Sequence, residues 1–87
     1  MNQSILFNDG VVWQETQQRL MFSAQMLGVT VLCYISHHYL EQLAARPLLR
    51  PDDLLQAFET LRFDIEELAE QKMAEQEFAE DGSIYLY

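Results

Sequence analysis

Lysine and arginine are scarce in this chain, five residues in 87 against fourteen aspartates and glutamates. A protein that grips a phosphate backbone needs clustered cations, and none cluster here, so nucleic acid is set aside as a direct partner. Cysteine occurs once, at Cys33, which excludes an internal disulfide. Small domains from oxidising compartments usually carry paired cysteines, so a cytoplasmic location is expected. Long apolar runs are also missing. The most apolar stretch, residues 28–35, falls far short of the roughly 20 residues of a membrane-spanning helix. The opening MNQSILFNDG has no basic start and no extended apolar segment, so neither a secretory signal nor a membrane segment is expected. Glycine and proline are few, and each falls where an element should turn, start or stop.

What the chain does have is the composition of a folded protein, with 49% hydrophobic and 22% charged residues. Its length implies a single domain, residues 1–87, with one modest core. The net charge of −9 is unevenly placed. Eleven acidic residues between Asp52 and Asp81, set against Arg62 and Lys72, account for all of it, while Asp9, Glu15 and Glu41 cancel Arg19, Arg46 and Arg50. Such a surface suits a basic protein partner.

The stretch SILF (residues 4–7) reads as a short strand, and NDG after it as a hairpin turn into VVW (residues 11–13). Residues 19–26 alternate with period two. Leu20, Phe22, Ala24 and Met26 share one face, and Arg19, Met21, Ser23 and Gln25 the other. Leu27-Gly28 makes a tight turn, and the return strand points Val29, Val31, Cys33 and Ile35 inward and Thr30, Leu32 and Tyr34 outward.

Ser36 is positioned to cap a helix running from His37 to about Ala45 that buries Leu40, Leu43 and Ala44 and stops before Arg46-Pro47. Pro51 suits the first position of a second helix, with Asp52 and Asp53 at its positive end. Leu54, Phe58, Leu61, Leu68 and Ala69 fall within about 60° of Ile65 on a helical wheel and form its core stripe. The stripe fails at Lys72 and Gln76, so the last turns should pass the core edge before Asp81-Gly82 ends the helix. SIYLY (residues 83–87) is a terminal strand. The expected fold is α+β in two layers: an antiparallel sheet of three to five strands, from N-terminal hairpins and the C-terminal strand, with two helices on one face.

Two regions compete as functional sites. LCYISHH (residues 32–38) gathers Cys33, Ser36, His37 and His38, residue types that serve nucleophilic catalysis or ligand binding. On this layout, however, Cys33 points into the core and Ser36 caps. The adjacent histidines diverge by about 100° around the helix, which suits neither a catalytic pair nor a four-ligand zinc site. An anion at the Ser36 helix start lacks a preceding glycine-rich loop. The second region is the acidic helix. Glu59, Glu66, Glu70 and Glu77 lie between about 100° and 140° on the wheel, with Phe63 beside them and away from the core. A solvated face is the plainest account. Glu66 and Glu70 as a metal site lack a histidine on the helix. A partner surface, with Phe63 as anchor and the glutamates steering, is the functional account, and the same aromatic could serve a homodimer.

Phe7, Trp13, Phe22-Ser23-Ala24, the run from Val31 to Ser36, Leu40, Leu55-Gln56-Ala57-Phe58, Arg62 to Glu66, Ala69, Phe78 and Gly82 to Leu86 occur in an order and spacing that resemble the domain-of-unknown-function family numbered 1488. The resemblance covers nearly the whole chain of these short bacterial proteins. It implies an α+β domain and neither an activity, catalytic residues nor a cofactor. The family usually carries a polar residue before the hairpin glycine, where Leu27 stands here. Arg62, about 60° from the stripe centre, is suited to an orienting salt bridge more than to holding a ligand. The sequence therefore favours an accessory or regulatory protein that acts by protein contact, without cofactor or metal. The alternative is an enzyme or small-ligand binder built on Cys33, Ser36 and His37.

Overall fold

The structure, a computed structural model, describes residues 5–87; Ser4, expected to open the first strand, lies outside them. In chain order the elements are β1 (Ile5–Phe7), β2 (Val12–Gln14), β3 (Arg19–Met26), β4 (Val29–Ser36), α1 (His37–Ala44), α2 (Pro51–Thr60), α3 (Arg62–Ala74) and β5 (Ile84–Leu86). The fold is α+β, and the β3–β4 hairpin is its centre. Leu27 and Gly28 both take positive φ, 53° and 80°, the signature of a two-residue turn whose twist matches that of the strands.

The sheet differs from the expected one in two respects. It is mixed, because β5 lies parallel to β4, with Tyr34 opposite Tyr85. The intervening helices carry the chain back over the sheet, so β5 enters in the direction of β4. Nor do β1 and β2 form a hairpin with each other. Both pair with β3, β1 against its C-terminal half and β2 against its N-terminal half. Eight residues of β3 accommodate two three-residue partners end to end, and Asn8 holds the chain alongside, with its N–H on the Ser23 carbonyl and its side-chain amide on Ser23 Oγ at 2.8 Å.

The helical layer also departs from expectation, with three helices in place of two. The Thr60 hydroxyl donates to the Gln56 carbonyl at 3.1 Å, a back-bond that bends helices, and Leu61 relaxes to φ −103° and ψ 14° between α2 and α3. The last helix ends at Ala74 and not at Gly82. Past Met73 the stripe has no apolar residue to bury, and Gln76 turns left-handed (φ 57°) while the Glu77 N–H reaches back to the Lys72 carbonyl. Gly82 does take a positive φ, 85°, but in the turn that feeds β5.

The core joins Leu20, Phe22, Ala24, Val31, Cys33, Ile35, Ile84 and Leu86 of the sheet to Leu40, Leu48, Leu54, Ala57, Phe58, Ile65, Ala69 and Met73. Met26, Leu43, Ala44, Leu61 and Leu68 pack at its edge. Val29, expected inward, is 63% exposed, because it sits at the hairpin tip beyond the reach of the helices.

Candidate functional site

Phe58 and Phe63 show how the helical register sorts like residues. Phe58 is fully buried against Phe22, with ring centroids 5.1 Å apart. Phe63, at the first turn of α3, is 84% exposed, among the exposed Asp64 and Glu67. One residue before it, Arg62 is largely buried. Its guanidinium lies 5.0 Å from the Phe58 ring centroid and donates to Glu59 Oε2 at 2.6 Å, to Glu66 Oε2 at 3.5 Å and to the Asp9 carbonyl at 3.0 Å. These contacts tie the α2–α3 junction to the connection between β1 and β2. The hydrogen bond from Arg62 holds the Glu59 carboxyl below its ordinary pKa. Arg62 thus organises two of the glutamates that neighbour Phe63, and Glu70 extends the acidic side of α3 by one further turn.

The residues of LCYISHH are drawn apart. Cys33 is fully buried, its only hydrogen-bond acceptor among the described residues is the Val31 carbonyl at 3.8 Å, and burial pushes its thiol up to about 12. A nucleophilic cysteine needs the opposite shift. Ser36 Oγ accepts the Tyr39 N–H at 3.1 Å, a helix cap. His38 is exposed. His37 turns to the connector between α1 and α2, where Nε2 donates to the Leu48 carbonyl at 2.6 Å; a carbonyl only accepts, so Nε2 carries the proton. The Leu48 N–H in turn donates to Glu41 Oε2 at 2.8 Å. That bond, with His37 nearby, holds the Glu41 carboxyl below its ordinary value. Both backbone groups of Leu48 are thereby satisfied and its side chain is pinned in the core. Among the described residues no three of His, Cys, Asp and Glu converge to hold a metal ion, and no helix is long and apolar enough to cross a membrane.

A second cluster escaped the sequence reading. The Arg19 guanidinium lies 3.6 Å from the Tyr34 ring centroid, with Nε donating to Gln14 Oε1 at 2.6 Å and Nη1 to the Tyr87 hydroxyl at 3.1 Å. Tyr34 stacks on Tyr85 at 5.1 Å, and Tyr85 meets Tyr87 edge-on at 5.2 Å. Tyr34 is on the outward face as its alternation requires, yet only 7% exposed, because Arg19 and Tyr85 cover it. The signal was faint: Tyr85 and Tyr87 share a face by alternation, but their meeting with Tyr34 depends on the parallel pairing of β5.

A family model described as a protein of unknown function (DUF1488) matches residues 5–86. An uncharacterised protein of Escherichia coli strain K12, YrdB, is 36% identical over 99% of both chains, and its Shigella flexneri counterpart is 34% identical over the same shares. A crystal structure of a DUF1488-family protein from Shewanella loihica PV-4 superposes with a TM-score of 0.91 at 39% identity, covering 98% of this chain and 93% of that one. From the shared fold and the match along nearly its whole length, this chain belongs to the DUF1488 family.

Proposed function

We propose that the chain is an accessory or regulatory cytoplasmic protein that works by binding another protein, with the start of α3 as the docking surface and a basic surface as its occupant. Phe63 carries the proposal. A phenylalanine left 84% exposed on a regular helix gains little from folding, whereas in an interface it supplies a large, rigid apolar anchor. Glu59, Glu66 and Glu70 beside it would steer a basic partner and fix its orientation. Arg62 holds two of these carboxylates in place, which lowers the entropy lost on docking.

The test is affinity capture from a lysate of the native host, wild type beside Phe63→Ala, with bound proteins identified by mass spectrometry. A basic protein retained by wild type, lost with the variant and released by salt is the expected outcome. If capture is the same for both proteins, or only acidic proteins are retained, the α3 surface is not the docking site.

A further inference from the structure

We propose that Asp9-Gly10 is a modification site, at which the folded protein isomerises its aspartate to isoaspartate and so becomes a substrate for enzymes that methylate isoaspartyl carboxylates. Aspartate followed by glycine is prone to this reaction, because glycine puts no side chain in the path of attack. The chain has two such pairs, Asp9-Gly10 and Asp81-Gly82, and the fold treats them in opposite ways.

In the first step the Gly10 nitrogen loses its proton to solvent and attacks Asp9 Cγ. The bond from Cγ to one carboxyl oxygen breaks, that oxygen leaves as water, and a cyclic imide closes. Water then opens the ring. Attack at Cγ restores aspartate. Attack at the main-chain carbonyl carbon breaks its bond to the Gly10 nitrogen and yields isoaspartate, in which the main chain runs through Cγ and the former carbonyl is a free carboxylate. Mass and redox state are unchanged overall.

At Asp9-Gly10 both reacting groups are available. The two residues are exposed, and among the described residues neither the Gly10 N–H nor the Asp9 carboxylate makes a hydrogen bond. The Asp9 carbonyl accepts from Arg62 Nη2 at 3.0 Å. A cation on that oxygen polarises the peptide, making the Gly10 N–H more acidic. In the imide it also draws electrons from the main-chain carbonyl carbon, so water opens the ring there and isoaspartate results. The new carboxylate then faces the guanidinium that already holds Glu59 and Glu66, and a charge-assisted bond to it outweighs the bond to the neutral carbonyl it replaces.

At Asp81-Gly82 the same groups are occupied. The Gly82 N–H donates to the Ala79 carbonyl at 2.9 Å, and Asp81 Oδ1 accepts the Ser83 N–H at 2.9 Å. The Ser83 bond holds the Asp81 carboxyl below its ordinary pKa, in the ionised form whose oxygen leaves poorly. The nucleophile and the carbon it must reach are each tied elsewhere.

The experiment ages the full chain at neutral pH and growth temperature for weeks. Isoaspartate is then located by electron-transfer mass spectrometry of its peptides and counted by methyl transfer from labelled S-adenosylmethionine with an isoaspartyl methyltransferase. In the folded protein it should form at Asp9 at least about fivefold faster than at Asp81, the smallest factor expected when two hydrogen bonds must open first. In urea the two sites should converge. Gly10→Ala, whose Cβ meets nothing within 4 Å, should fold as wild type and suppress the reaction at Asp9 alone, and Arg62→Gln should slow it there, with circular dichroism confirming each fold. Equal rates at the two sites in the folded protein, no isoaspartate at Asp9, or a Gly10→Ala protein that isomerises like wild type overturns the proposal. Isoaspartate is read without any partner, so the result stands apart from docking at α3.

Discussion

Phe58 and Phe63 are five residues apart, and replacing each by alanine should have sharply different consequences. Phe58 is fully buried against Phe22 beneath the Arg62 guanidinium, so its truncation opens a cavity and costs about 3–5 kcal/mol. A chain of 87 residues is held by about 4–13 kcal/mol in total. The Phe58→Ala protein should therefore melt at least about 12 °C below wild type or fail to fold. Phe63 hides only a sixth of its surface, roughly 30 Å² and below about 1 kcal/mol. Alanine returns about 0.5 kcal/mol through its better helix propensity. The two effects nearly cancel, and the Phe63→Ala melting temperature should stay within about 3 °C of wild type. Thermal and urea unfolding followed by circular dichroism measure both. A loss of about 2 kcal/mol or more for Phe63→Ala would show that residue packed against the protein, and the reasoning that makes it a partner anchor would fail.

Cys33 should resist thiol reagents. With its thiol buried and pushed up to about 12, the neutral form persists through physiological pH, and labelling waits on opening of the fold. At pH 8 the native protein should label at least about 1,000-fold more slowly than the urea-unfolded chain; a rate within about tenfold would return Cys33 to the list of reactive sites. Leu27, at φ 53°, occupies a left-handed conformation that branched side chains resist and asparagine tolerates. Leu27→Asn should therefore stabilise the protein by about 0.5–1 kcal/mol, read as a higher urea midpoint with an unchanged slope. No gain would mean that the turn is not strained.

Much of the fold was legible because its determinants are local. Period-two alternation over residues 19–35 specified two strands and their faces, Gly28 the turn between them, Ser36 the helix cap, and Pro51 with Asp52 and Asp53 the start of the next helix. The 3.6-residue stripe placed Phe58 inside and Phe63 outside. The break at Leu61 was harder to see, since Thr60 bends the helix only once its hydroxyl chooses the Gln56 carbonyl over water. The separation of Cys33 from His37 was legible in outline, but the Leu48 backbone that occupies His37 comes from another segment and could not be foreseen.

The sequence by itself determined which residues form strands and helices and which side of each is apolar, because those properties follow from neighbours a few positions away. Only the tertiary structure decided that β1 and β2 share β3, that β5 returns parallel to β4, and that Arg19 lies over the Tyr34 and Tyr85 rings while donating to the Tyr87 hydroxyl. Alternation gives a strand two faces but does not say which strand lies beside it; that choice belongs to the helices that carry the chain across the sheet and to the single core they must close.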